Sequence, residues 1–279
     1  MKFTLIFLIV FSSFSQNQFV LYDATTKQSI AYANIMLYSN GKIIGGTYSD
    51  IQGLVSIDEK TDSIIISSLG YDNKSFITKK LSKIIYLFPK VYNLNEVVVS
   101  NKTIECKRSR DIGYFKKKKN ISIHLLKNSE LTTLISNKSN KTSLVKIIYF
   151  ELKNNSKNHL PIRLKIYSNK KGPDKLLLSE DIEVPFSDKK KKYILNIHHY
   201  NIEFPKEGLF IGFEYLQSSS KKGNVYISAT NKIESSKTFI KDKFWNIKWN
   251  SFNNNHFYRK LIEVDGMINI AVGIEICDL

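Results

Sequence analysis

The chain has 279 residues and a formal charge of +17, with 42% hydrophobic and 12% aromatic residues. That is too apolar for a disordered chain and long enough for two ordinary domains, while five prolines and twelve glycines exclude a low-complexity polymer. The charge is nearly all lysine: Arg108, Arg110, Arg163 and Arg259 are the only arginines, so a solvated basic surface is expected rather than a nucleic-acid site.

Lys2, the apolar run Phe3 to Phe11, and then Ser12, Ser13, Phe14 and Ser15 have the charged start, hydrophobic middle and small-residue end of a secretory signal peptide. Residues 1–15 are assigned to it. The run is shorter than the roughly 20 residues of a membrane span. The expected location is the periplasm, the outer-membrane surface or the medium, with no transmembrane span and with peripheral membrane attachment left open.

Residues 16–100 read as a small β-sandwich. Phe19 to Tyr22, Ile30 to Tyr38, Ile43 to Tyr48, Leu54 to Ile57, Ser63 to Ser68, Lys74 to Thr78 and Lys83 to Phe88 are short strands without helical periodicity. Asn40-Gly41 predicts a tight hairpin, because both residues tolerate positive φ. Asp50 to Gly53 predicts a second turn.

The run Ala33, Asn34, Ile35, then Gly46, Thr47, Asp50 and Gly53, then Ser67, Ser68, Leu69, Gly70 and Tyr71, resembles the carboxypeptidase-regulatory-like domain. That resemblance implies a prealbumin-like, seven-stranded Greek-key sandwich, common in secreted and outer-membrane bacterial proteins. The family's usual glycine near Phe19 and proline near Ser29 are missing. Leu94, Glu96, Val97, Val98 and Val99 are similar to a string that follows this domain in TonB-dependent nutrient receptors, although the residues that follow are too few for a plug and barrel of that size. The string is a candidate strand offered to a partner by edge addition, with a closing or linker strand the commoner alternative.

Residues 101–120, with Lys107, Arg108, Arg110 and Lys116 to Lys119, are expected to form a basic linker. Residues 121–279 then give about nine more strands, which predicts a jelly-roll-like β-sandwich. Leu144 to Leu152 is the clearest strand, with Val145, Ile147, Tyr149 and Glu151 on the face opposite Lys146, Ile148, Phe150 and Leu152, and the last, Met267 to Cys277, looks central because Ile268, Ile270, Val272, Ile274 and Ile276 share one face. Leu160 to Tyr167, Leu176 to Leu178, Tyr200 to Ile202 and Gly208 to Gly212 also resemble the C-terminal part of carboxypeptidase-like regulatory-domain proteins. The whole is therefore read as all-β, two sandwiches in series.

Cys106 and Cys277 either bridge the ends of the second unit or stand as two separate thiols, the commoner outcome. His198 and His199 are neighbours and would point to opposite faces of a strand, while His124, His159 and His256 have no metal-binding spacing. Acids cluster at Glu180, Asp181 and Glu183 and around Glu203, Glu207 and Glu214, but spacing selects no catalytic pair. No Gly-x-Ser-x-Gly elbow or phosphate loop occurs. No catalytic residue, metal or cofactor is assigned.

The best candidate ligand surface is aromatic. Trp245 and Trp249 are an even number apart and would share one side of a continuous strand, with Asn250, Asn253 and Tyr258 beside them to meet sugar hydroxyls. Core anchoring is the commoner use of tryptophan. The expected function is a non-enzymatic, exported cell-envelope module that binds a partner protein or scaffolds a complex. A carbohydrate-binding module built on Trp245 and Trp249 comes second, and a secreted hydrolase third.

Overall fold

The computed structural model describes residues 17–58, 60–90, 106, 108–117, 121–127, 129–139, 143–154, 160–186, 190–216, 224–242, 244, 248–255, 262 and 264–278. The first unit consists of β1 (Asn17–Asp23), β2 (Asn34–Ser39), β3 (Lys42–Tyr48), β4 (Leu54–Ile57), β5 (Ser63–Ser67), β6 (Lys74–Ile77) and β7 (Ile84–Leu87). They form two sheets, ordered β4-β1-β7 and β3-β2-β5-β6, so the seven expected strands make the expected sandwich. Period-2 alternation sends Phe19, Leu21, Ile35, Val55, Ile57, Ile64, Ile66, Ile85 and Leu87 into one core between them.

The turn residues explain the register. Asn40 (φ 50°) and Gly41 (φ 71°) close the β2–β3 hairpin, with Ser39 opposite Lys42. Asp50 Oδ1 accepts the amides of Gln52 (2.9 Å) and Leu54 (2.8 Å), and Gly53 turns the chain at φ 76° where a Cβ would meet the Leu21 carbonyl oxygen at 2.6 Å. Tyr71 closes the unit from the other side: its hydroxyl donates to Asp23 Oδ2 (2.7 Å) while Asp23 Oδ1 accepts the amides of Thr25 and Thr26. The Thr26 amide and then the Tyr71 phenol hold the Asp23 carboxyl below the usual range, while burial, followed by Asp23, pushes Tyr71 up to about 12.

The second unit contains β8 (Arg108–Gly113), β9 (Ile121–Leu125), β10 (Ser129–Ile135), β11 (Ser143–Asn154), β12 (Leu160–Asn169), β13 (Pro173–Leu176), β14 (Ile182–Phe186), β15 (Lys190–Asn196), β16 (Glu203–Phe204), β17 (Leu209–Tyr215), β18 (Val225–Thr230), β19 (Thr238–Asp242), β20 (Asn250–Ser251), β21 (Asn269–Ile270) and β22 (Gly273–Asp278). One sheet runs β13-β12-β17-β10-β19-β20, with β14 also on β12. The other runs β21-β18-β11-β22-β8, with β9 on β18 and β15 and β16 on β11. A single apolar core lies between them, including Leu131, Ile148, Phe150, Leu164, Phe213 and Ile274.

Four expectations need correction. The stretch 101–120 is not simply a linker, because Arg108–Gly113 is a strand paired with β22, with Arg110 Nη2 3.2 Å from Asp278 Oδ1. Its polar composition hid a pairing partner at the far end of the unit, which no local signal reports. The cysteines are not separate: Cys106 and Cys277 are bonded, their Cα atoms 5.4 Å apart, tying the start of β8 to the end of β22. The last strand divides into β21 and β22, yet Ile268, Ile270, Val272, Ile274 and Ile276 are all buried as expected. In β11 the register shifts between Val145 and Ile147, so Val145 joins Ile148, Phe150 and Leu152 on the core face, against the strict alternation read from sequence.

Two outcomes follow. Replacing Asp23 with Ala lowers the urea midpoint at pH 7, and the gap to wild type closes as the pH falls below about 4, because a carboxylate with a depressed folded pKa stabilises above its unfolded value and loses that contribution in acid. Removing the bridge by Cys106→Ala and Cys277→Ala costs about 2–4 kcal/mol in urea unfolding, since it closes a long loop; a change near zero shows that the pairing of β8 with β22 already fixes these ends.

Candidate functional site

β17 is the strand on which both units meet. Leu209, Ile211, Phe213 and Tyr215 enter the core of the second sandwich, and Phe210, Gly212 and Glu214 face the opposite way. All seven residues are buried, because the first unit covers the outer side near Glu214. The contact includes an apolar cluster of Tyr32, Tyr48, Leu216 and Phe244. Gly46 allows it, as any Cβ there would overlap the Phe244 ring, and Tyr48 meets that ring edge-on at 5.9 Å.

Beneath this cluster lies a row of charges running straight across five strands. Register places Glu183 (β14) opposite Arg163 (β12), Arg163 opposite Glu214 (β17), Glu214 opposite Glu130 (β10), and Glu130 opposite Lys241 (β19). Arg163 Nη2 lies 3.1 Å from Asp181 Oδ2 and 3.6 Å from Glu183 Oε1, and Nη1 lies 3.8 Å from Glu214 Oε2. Lys165 Nζ is 3.3 Å from the same Glu214 oxygen, and Lys241 Nζ is 3.5 Å from Glu130 Oε2. The first unit supplies two bonds of its own. Tyr48 Oη donates to Glu214 Oε1 (2.8 Å), and the Tyr32 carbonyl accepts Arg163 Nη2 (3.0 Å).

Glu130 and Glu214 are fully buried, and Arg163 is 2% exposed. Burial by itself pulls the Arg163 and Lys165 pKa values down, and the neighbouring carboxylates, Glu214 foremost, more than reverse this, so both remain cations. Burial followed by the Glu214 charge raises the Tyr48 phenol well above its usual value, and burial followed by Glu130 does the same to Tyr167. Burial also raises Glu183, against the pull of Arg163. Both phenols therefore stay protonated, and Tyr48 donates to Glu214. Charges sealed this deeply are tolerable only because each has an opposite partner.

The sequence-derived site residues are distributed otherwise. Trp249 is half-buried at one end of this face: Lys241 Nζ stands 4.2 Å above its ring and Tyr167 meets its edge at 5.6 Å. Asn250 is exposed and donates to the Lys248 carbonyl. Asn253 is a structural staple, donating to Ile268 O (3.0 Å) and Ser236 Oγ (2.8 Å) and accepting the Ile268 amide (2.8 Å). Trp245, Tyr258 and the segment Leu94, Glu96, Val97, Val98 and Val99 lie outside the described residues. β20 begins only at Asn250, so Trp249 precedes the strand.

Of the acids singled out by sequence, Asp181, Glu183 and Glu214 converge on Arg163, whereas Glu180 accepts the Tyr200 hydroxyl. Sequence reasoning missed Tyr48, Glu130, Arg163 and Lys165. The available signal was Arg163, one of only four arginines, placed inside the apolar strand Leu160 to Tyr167. His124 stacks on Tyr226 at 4.9 Å, and among the described residues no group of three His, Cys, Asp or Glu side chains is placed to hold a metal. Among the described residues no helix is long and apolar enough to cross a membrane. A cleft of about 260 Å³ between Ile112, Phe115, Tyr149 and Ile194 opens on the other sheet, where Tyr149 donates to Glu275.

No family model and no curated protein matches the chain. Among solved structures it is similar to the cysteine protease and lectin-like domains of Cwp84, a surface layer associated protein of Clostridium difficile, at 10% identity and a TM-score of 0.43 over 89% of this chain and 59% of that one. A second structure of the clostridial cysteine protease Cwp84, a variant after propeptide cleavage, gives the same identity and TM-score over 93% and 61%. The infectious bursal disease virus VP2 subviral particle gives 9% and 0.22 over 98% and 63%. The chain thus spans about three fifths of the length of these structures. Likeness at this level carries no argument about function.

Replacing Arg163 with Met leaves Glu214, Asp181 and Glu183 short of a cation, and is expected to cost about 3–5 kcal/mol in chemical unfolding. Adding Glu214→Gln to that variant recovers part of the loss. Strict additivity of the two changes is the result that refutes a coupled junction.

Proposed function

We propose that the chain is a non-enzymatic, exported module of the bacterial cell envelope that acts by binding a partner protein or scaffolding a surface complex. The observation that carries this reading is the junction. Glu214 is fully buried beneath the first unit, held by Arg163, Lys165 and the Tyr48 hydroxyl, while Asp181 and the exposed Glu183 pair with Arg163 at its margin, and this network joins the two sandwiches. A rigid pair of sandwiches is a platform, and the N-terminal signal-like segment together with the resemblance to carboxypeptidase-regulatory-like domains supports its use outside the cytoplasm.

Carbohydrate binding is the second reading. Lys241 over the Trp249 ring and Tyr167 at its edge support a packing role for that indole, since a sugar would have to displace the ammonium to stack there. A hydrolase is third, because the charges of Glu214, Glu183 and Asp181 are already met by Arg163 and Lys165.

The test is crosslinking in intact cells that produce the tagged chain, followed by affinity electrophoresis of the purified chain against a panel of polysaccharides. A discrete adduct with an envelope protein is expected, with no retardation by any sugar. Retardation abolished by Trp249→Ala in a folded variant moves the protein to carbohydrate binding. A chain that forms no adduct and turns over a substrate overturns the proposal.

A further inference from the structure

The outer face of the sheet β4-β1-β7 departs from the usual pattern of an antiparallel-type sandwich, in which the solvent side is polar. Alternation that buries Phe19, Leu21, Val55, Ile85 and Leu87 turns Val20, Tyr22, Leu54, Ile84 and Tyr86 outward, and Phe88 continues the row beyond β7. Val20 lies opposite both Leu54 and Ile84, and Tyr22 lies opposite Tyr86 with ring centroids 6.2 Å apart, so these side chains form one contiguous patch. Leu54 is 37% exposed, Tyr86 41%, Ile84 47% and Phe88 55%. Such a face on a soluble unit marks a contact.

Cations surround the aromatic side of the patch. Lys27 Nζ stands 4.7 Å from the Tyr86 ring centroid and Lys74 Nζ stands 4.4 Å from that of Phe88, with exposed Lys83 just before β7. Lys74 also donates to the Tyr86 carbonyl (2.8 Å), and the Asp72 amide donates to the Phe88 carbonyl (3.1 Å). These two bonds occupy the outer edge of β7, and a lysine laid along an edge is a standard guard against strand addition. A partner therefore approaches the face, not the edge. Three strands spaced about 4.8 Å apart offer a strip about 10 Å wide, the diameter of one α-helix. The lysine rim requires that helix to carry acidic flanks, and opposes docking of a second copy of a chain whose formal charge is +17.

We propose that the apolar face of Val20, Tyr22, Leu54, Ile84, Tyr86 and Phe88 docks an acidic amphipathic helix of a partner protein, which deepens the partner-binding reading and rests on it. The probe is a synthetic peptide of about 18 residues, long enough to be helical, with a Leu and Phe stripe flanked by glutamates. A second peptide has the same stripe flanked by lysines. Fluorescence anisotropy with the purified chain is expected to show binding of the glutamate peptide only. Tyr86→Ser with Phe88→Ser weakens it by roughly tenfold, the loss typical of aromatic anchors. Lys27→Glu with Lys74→Glu transfers the preference to the lysine peptide, while circular dichroism shows that each variant remains folded.

Equal affinity for both peptides, no binding at all, or binding untouched by the face variants overturns the proposal. So does sedimentation that shows a dimer lost in those variants, or attachment to phosphatidylglycerol vesicles that the glutamate peptide cannot displace. Cell crosslinking with the Tyr86→Ser, Phe88→Ser variant separates the two levels. An adduct kept by the variant removes this face and leaves partner binding standing, whereas no adduct even with wild type removes partner binding itself.

Discussion

The buried contact of Arg163 with Glu214, closed from the first unit by the Tyr48 hydroxyl and the Tyr32 carbonyl, is the constraint on which the two-unit arrangement depends. A carboxylate withdrawn from water without a partner costs several kcal/mol, so the outer face of β12, β17 and β10 is tolerable in its buried state only while the cations and phenols around it are in place. The first unit cannot leave without exposing this row, and the row cannot form at full strength without the first unit. Burial raises the phenols of Tyr48 and Tyr167, which keeps both protonated and leaves Tyr48 as the donor to Glu214.

That constraint also bears on chemistry. Glu214 is sealed beneath the first unit with its charge met by Arg163 and Lys165, while Asp181 and the exposed Glu183 pair with the same guanidinium at the margin. The face of β4-β1-β7 carries apolar residues where solvent-facing polar ones are usual, and its lysines sit on the rings and along the edge of β7, where Lys74 donates to the Tyr86 carbonyl.

The legibility of the two units differed for a physical reason. In the first, strands are short and consecutive, and each turn carries its own chemistry: Asn40-Gly41 supplies positive φ, and Asp50 caps the amides that Gly53 presents. Local residues therefore announced the hairpins, and all seven strands could be placed. In the second, β8 pairs with β22 and β11 is flanked by β22, β18, β15 and β16 drawn from distant stretches. Pairing over such distances leaves little local trace, which is why Arg108–Gly113 resembled a linker and the Cys106–Cys277 bridge stayed one of two alternatives.

Period-2 alternation, turn residues and composition were enough to establish an all-β chain with one sandwich up to about residue 90 and further strands after it, because these are properties of neighbouring residues and of the pleat. They also identified the buried face of Ile268 to Ile276. Tertiary structure alone decided that the outer face of β12 and β17 is buried as well as the inner one. Arg163, Lys165 and Glu214 have the spacing of an ordinary exposed face, and only the docking of Tyr32 and Tyr48 from the first unit, packed against Phe244 of the second, turns it into a buried ion network. Burial depends on what lies opposite in space, and a strand's own sequence does not contain its neighbour.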